Sequence, residues 1–314
     1  MLTKLFSVVL VVIVMALLAW QAPAWLLSLA TVAAGSALVV LGLVVLWRAG
    51  LMSFGQALYF ATGAYTVALI VRDGRVTDVV LLLLCAGVAS GVLAYLVGIL
   101  LSRYREIFFA MLSLALSMIL YGYLVQAAEL GSSDGLHVKP ASMLGQTLSG
   151  PAYTTALFVI AWLVTLGCAV AIRWYLNSIA GRLTSLIAEN EIRIEYLGYS
   201  VRNLVHTDLT LAGALAGVGG GLTALSIGHV DPTFAYWTTS GEFVFVTILA
   251  GPTSVTGALL GTVLFALFRS SAMSIIPYAW QFCLGAALLF TIIFVPNGIG
   301  SLAFRRKPRP EPSP

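Results

Sequence analysis

Apolar residues run almost end to end along this chain, in stretches separated by short polar or Gly/Pro punctuation. The stretches fall at 4–21, 25–47, 51–71, 79–101, 107–128, 153–175, 203–228, 234–250, 255–273 and 277–296. About 20 mostly apolar residues let an α-helix cross a hydrocarbon core of roughly 30 Å. The pattern therefore predicts an all-α polytopic membrane protein with about ten transmembrane helices, eight at the least. The segment 234–250 is the shortest and is polar in its first half, FAYWTTSGEF, which leaves open a fusion with its successor across Gly251 and Pro252.

The basic residues test that count. With the N-terminus inside and ten crossings, Lys4, Arg48, Arg103, Arg105, Arg173, Arg182, Arg193, Arg202, Arg305, Arg306, Lys307 and Arg309 fall in inside loops. Arg72, Arg75, Lys139 and Arg269 fall outside, which accounts for all 16 basic residues. This is the asymmetry that orients membrane proteins, and it places both termini in the cytoplasm. One crossing over 234–273 would force the basic tail outside, so parity favours a break within LAGPTSVTG, 249–257. Pro252 lacks a backbone donor and the flanking glycines are poor helix formers. A second interrupted segment, WRAGLMSFGQALYFATGAYT at 47–66, carries Gly50, Gly55 and Gly63. Gly/Pro-interrupted segments in both halves point to an inverted-repeat transporter with its pathway between the repeats. Small residues four apart equally serve ordinary close helix packing.

Composition sharpens this picture. Hydrophobic residues make up 60% of the 314 and charged residues 9%, against roughly 25% charged in soluble domains, and mean hydropathy is +1.02. The net charge of +4 comes from scattered residues apart from the tail RRKPRP, so nucleic acid is not an expected partner and the lipid bilayer is. Cys85, Cys168 and Cys283 lie in separate apolar runs without metal-ligand spacing, which reads as packing. Lys4, the apolar run 5–19 and Ala22-Pro23-Ala24 imitate a signal peptide, but the next apolar run starts at once, so a retained first helix is expected. The expected organisation is one transmembrane domain over 1–302 and a basic, Pro-rich cytoplasmic tail over 303–314.

One segment departs from the apolar rule. RLTSLIAENEIRIEYLGYS, 182–200, lies in an inside loop with Arg182, Glu189, Glu191, Arg193, Glu195 and Arg202. At roughly 2.5–3.5 kcal/mol per charge near the bilayer centre, these residues do not belong in a span. Ile179, Leu183, Leu186, Ile187, Ile194 and Leu197 recur at helical spacing, so a short amphipathic helix over 179–199 is expected, stopped by Gly198. Helices lying on membranes are usually rich in Lys and Arg, whereas three glutamates here would be repelled by an anionic leaflet. Docking to a cytosolic protein fits better than lying on the surface.

GRLTSLIAENEIRIEYLGYSV resembles the cytoplasmic coupling segment of permease subunits of high-affinity branched-chain amino acid ABC importers, of the LivM type. The shared pattern is Gly181-Arg182, then Glu189-Asn190-Glu191, then Leu197-Gly198. REIFFAMLSLALSMILYGYLVQAAELGSSDGL, LTLAGALAGVGGGLTAL, LLFTIIFVPNGIGSL and SFGQALYFATGAYT resemble other stretches of the same family, in family order over about 45–302. The chain departs from it at Ser132 and Ser133, where Gly-Gly is frequent, at Gln56, where His is common, and at Gly251-Pro252-Thr253-Ser254. The resemblance implies a permease that pairs with a homologous second permease, with two ATP-binding cassette subunits beneath and an external solute-binding protein above. It implies that Arg182, Glu189, Asn190, Glu191, Arg193, Leu197 and Gly198 meet the ATPase groove, with Glu191 and Arg193 as direct contacts. The chain has no Gly-x-x-x-x-Gly-Lys-Ser/Thr loop, so ATP is expected to be used by the partners, and no cofactor or metal is expected here.

A permease fed by a binding protein needs a site weak enough to release its cargo. Small and mildly polar residues are therefore the pathway candidates: Ser53, Gln56, Thr62, Thr66, Ser113, Ser117, Gly217, Gly220, Thr223 and Thr253. Glu242 joins them, as a carboxylate with no nearby cation in sequence, either facing the pathway or lying in water near the outer surface. His206 and Asp208 are two apart and should turn to different sides of their helix. Asp134, His137 and Lys139 in one outward loop, and His229 and Asp231 in another, are candidates for receiving the binding protein. Branched-chain or other neutral amino acids are the expected cargo, with urea, amides or aromatic acids as alternatives. An ion-coupled secondary transporter would need a central carboxylate or His pair, and an intramembrane enzyme would need converging His, Asp or Cys.

Overall fold

The structure, a computed structural model, describes residues 22–294 except 75, 144, 147, 252, 253 and 276. The stretch 4–21, the tail 303–314 and Thr253 lie outside the described residues. The chain folds as α1 (Ala24–Arg48), α2 (Gln56–Asp73), α3 (Val79–Leu101), α4 (Glu106–Gln126), β1 (Leu136–His137), α5 (Pro151–Asn177), α6 (Ile179–Ile187), α7 (Glu191–Tyr196), α8 (Val201–Ile227), β2 (His229–Val230), α9 (Trp237–Ala250), α10 (Val255–Ile275) and α11 (Trp280–Phe294).

Local chemistry sets several boundaries. The Asp78 side chain accepts from the Val80 N–H to cap α3, and Ser200 accepts from Asn203 N–H to cap α8. Pro151 opens α5, where its missing donor costs nothing. Gly74 and Gly228 close α2 and α8 in the left-handed region.

Six helices among the described residues, α1, α3, α4, α5, α8 and α10, are long and apolar enough to cross a membrane. Against the roughly ten spans expected, these six stand among the described residues, and the expected span 4–21 lies outside them. The stretch 51–71 becomes helical only at Gln56. At 1.5 Å per residue, the 14 residues of α9 reach about 21 Å, short of the roughly 30 Å core. A 3₁₀ turn over Pro232–Ala235 occupies the first part of the predicted 234–250 span. The break expected near 249–257 is present, since α9 stops at Ala250 and α10 starts at Val255.

The centre is α8, packed against α1, α2 and α3. Burial ranks the helices: 78% of the apolar window of α1 and 67% of that of α8 are inside, against 22% for α4 and α10. Apolar burial does not itself drive association in lipid, so close packing of small residues carries these contacts. A Cβ on Gly63 would stand 2.0 Å from the Gly217 carbonyl oxygen, and one on Gly220 would stand 1.9 Å from that of Phe60. The peripheral helices expose Val88, Val92 and Leu96 of α3, Ile107, Phe108 and Met111 of α4, and Phe282 and Phe290 of α11, as surfaces facing hydrocarbon do. The three cysteines are unbonded and half-buried.

Candidate functional site

The segment expected to be one rod over 179–199 is two helices, α6 and α7, separated by a turn. Asn190 makes the break: its backbone is extended and its Oδ1 accepts from the Arg193 N–H at 3.1 Å, starting a new helix. Most of the apolar stripe is covered by the chain itself. Ile187 and Ile194 pack with Leu46, Leu101, Phe109, Val201 and Val205, and Leu183 is buried as well. Arg182, Glu189, Asn190, Arg193, Glu195, Leu197 and Gly198 remain exposed, alongside Ile192 and Tyr196. Glu191 is engaged within the chain, where its carboxylate accepts from Arg105 Nε at 2.5 Å.

The segment is tied to the bundle by a group whose tie the sequence did not reveal. Asp208 of α8, fully buried, accepts from the Tyr175 hydroxyl at 2.6 Å and the Thr184 hydroxyl at 3.0 Å. One carboxylate thus joins α5, α6 and α8. His206, two residues earlier, turns to α3, where its Nε2 donates to the Tyr95 carbonyl at 2.8 Å.

A second polar group surrounds the interrupted start of α2. The backbone donors freed there are taken up by serines: Ser113 Oγ accepts from Phe54 N–H at 3.2 Å, Ser53 Oγ from Gly55 N–H at 3.3 Å, and Ser240 Oγ from Ala57 N–H at 2.9 Å. Ser117 donates to the Ala235 carbonyl at 2.8 Å. Gln56 is fully buried, and neither amide atom of its side chain has a hydrogen-bond partner among the described residues. Thr62 and Thr66 donate to carbonyls one turn back in α2, those of Leu58 and Thr62. Gly217 and Gly220 lie at helix contacts, against Ser90 and Phe60.

A cavity of about 400 Å³ opens between α1, α8, α9 and α10. Of the pathway candidates, Thr223 and Glu242 line it. Glu242 is not alone: Arg269 Nη1 donates to its Oε2 at 2.8 Å, and the guanidinium carbon also lies 5.2 Å from the centre of the Trp280 ring. Arg269 sits within α10, in place of the outside loop expected for it. Its signal was present in the sequence, as a cation in an apolar run next to one holding an anion.

At the other end of α8, about 40 Å from its start by helix rise, the two loops that follow α4 and α8 meet. β1 and β2 pair antiparallel with Leu136 opposite Val230 and His137 opposite His229, and the two imidazole rings are 5.1 Å apart. Asp231 accepts from the Thr233 N–H at 2.8 Å and starts the 3₁₀ turn. Asp134 and Lys139 are exposed beside the ribbon. The ribbon is thus on the opposite side of the bundle from α6 and α7.

A family profile described as "Branched-chain amino acid transport system / permease component" matches residues 25–293. The chain is 26% identical over 286 residues to the high-affinity branched-chain amino acid transport system permease protein LivM of Salmonella typhimurium, covering 83% of this chain and 67% of that protein. It is 25% identical, with the same coverage, to the protein of the same name in Escherichia coli. No solved structure matches the chain. The match and the six long apolar helices describe a multi-pass membrane protein.

Proposed function

This chain belongs to the family of permease components of branched-chain amino acid transport systems, and we propose that it is the translocating subunit of an ABC-type importer. In this reading it pairs with a homologous second permease in the inner membrane, with both termini in the cytoplasm. Two ATP-binding cassette subunits, which use the ATP, dock at α6 and α7, and an external solute-binding protein docks at the ribbon. Branched-chain or other neutral amino acids are the cargo.

The observation that carries this reading is the division of α6 and α7 into two faces. Leu183, Ile187 and Ile194 anchor the pair to the spans, while Glu189, Arg193, Glu195, Tyr196 and Leu197 stand exposed. Acidic groups on an apolar, aromatic surface suit a protein groove better than an anionic leaflet. Displacement of α6 would pull on Asp208 and hence on α8, the helix around which α1 to α3 pack.

The test is reconstitution with the partner subunits in proteoliposomes. Wild-type complexes should accumulate leucine only with ATP. Glu189→Lys combined with Glu195→Lys should leave the permease inserted but prevent the ATPases from copurifying and stop uptake. Uptake without nucleotide, or normal ATPase capture by that variant, would overturn the reading.

A further inference from the structure

We infer that Glu242 and Arg269 form the polar half of a subsite for a zwitterion, in the cavity between α1, α8, α9 and α10. The inference rests on the permease reading above and adds to it a place and a charge rule. The cavity, about 400 Å³, is at the small end of ligand sites, which run from about 300 to 1,000 Å³. Its walls include Phe60, Phe243, Val246 and Phe265, so an apolar side chain is accommodated there and the ion pair supplies the polar contacts.

The two charged groups are held but not saturated. Their side chains are 21% exposed for Glu242 and 40% for Arg269. Among the described residues the guanidinium makes one hydrogen bond, to Glu242 Oε2, and Trp280 stacks near it. A guanidinium has five N–H donors in a planar fork matched to carboxylates, and Glu242 keeps a second oxygen. A solute carrying a carboxylate and an ammonium on one carbon therefore meets a donor fork and an acceptor already side by side. Because the pair is neutral overall, a zwitterion enters without changing the charge of the cavity. A solute with one charge leaves one protein group partnered and the other facing a like charge or nothing, which a partly desolvated site penalises. Partial hydration of the pair keeps the site weak, as passage requires.

The experiment uses the assembled importer in a background with Cys85, Cys168 and Cys283 replaced, carrying Thr239→Cys on the cavity wall, and follows its modification by a methanethiosulfonate reagent without the binding protein. Millimolar leucine should slow modification about fivefold or more, whereas isocaproate and isoamylamine, which each keep one of its two charges, should slow it less than about twofold. Glu242→Gln and Arg269→Gln should each abolish protection by leucine and lower leucine uptake roughly tenfold or more. Exchanging the residues, Glu242→Arg with Arg269→Glu, separates a structural pair from a subsite. Uptake restored by the exchange without protection by leucine overturns the subsite, as does equal protection by the two analogues or normal uptake in wild type with no protection. Protection by leucine in a complex that accumulates no amino acid with ATP would instead overturn the permease reading and leave the subsite standing.

Discussion

Tyr175, two residues before the end of α5, donates its hydroxyl hydrogen to Asp208 of α8 across 2.6 Å. The same carboxylate accepts from Thr184 of α6, so the exposed segment of α6 and α7 cannot shift far without straining a bond to the central helix. Tyr175→Phe leaves a buried carboxylate one donor short and should lower stability by about 1–3 kcal/mol. Thr184→Val should do the same, and the double variant should depart from the sum of the two, because the hydroxyls serve the two oxygens of one carboxylate. Thermal unfolding in detergent checks this; strict additivity would mean that the two bonds are independent.

Close approach of α8 to its neighbours gives a paired prediction. Gly63→Ala puts a methyl 2.0 Å from the Gly217 carbonyl oxygen and should destabilise strongly, by about 3 kcal/mol or more, because backbone must move on both helices. Gly122→Ala in α4 and Gly167→Ala in α5 meet nothing within 4 Å and should be neutral or stabilising by roughly 0.5–1 kcal/mol. Melting temperatures of the three variants would refute the packing if they moved together.

Gln56 carries a buried amide without a partner among the described residues. Gln56→Leu removes that unsatisfied group and should hold stability constant or raise it by about 1 kcal/mol, as thermal unfolding in detergent would show. A clear loss of stability would show that the amide has a partner in the folded protein.

The Arg105–Glu191 pair is more than a third exposed on the carboxylate side, at 38%. Arg105→Ala should therefore change stability by no more than about 1 kcal/mol. The pair engages the Glu191 carboxylate within the chain, so under the proposed importer reading Glu191→Ala should reduce ATPase copurification less than Glu189→Lys does. The reverse order would place Glu191 at the contact.

His137 lies opposite His229 in the ribbon, where antiparallel partners have Cα atoms about 4.5–5.5 Å apart, within reach of a disulfide. The double variant His137→Cys and His229→Cys should oxidise to an intramolecular bridge, seen as loss of thiol labelling. Full labelling after oxidation would mean that the two loops do not pair.

Much of this was legible along the chain because hydrophobic length and turn chemistry are local properties. The helices near 25–47, 79–101, 107–128, 153–175, 203–228 and 255–273 lie within a few residues of α1, α3, α4, α5, α8 and α10, and the interruptions before Gln56 and after Ala250 followed from Gly and Pro. The expected single rod over 179–199 divides because the Asn190 side chain outcompetes the continuing helix for the Arg193 N–H, a choice made by geometry at one residue that averaging over an amphipathic window cannot see.

By itself the amino-acid order determined that the chain is helical and made for lipid, where its six long apolar helices run, and which short segment is too charged to be a span. Tertiary structure alone decided which side chains share a site: Arg269 with Glu242 from consecutive helices, Tyr175 and Thr184 on Asp208, His137 against His229, and Ile194 against the bundle instead of a partner. The physical reason is that helix formation and membrane insertion depend on sums over neighbouring residues, whereas pairing of charges and donors depends on how rigid helices rotate and approach, which is settled only when the small residues of α8 bring α1, α2 and α3 into contact.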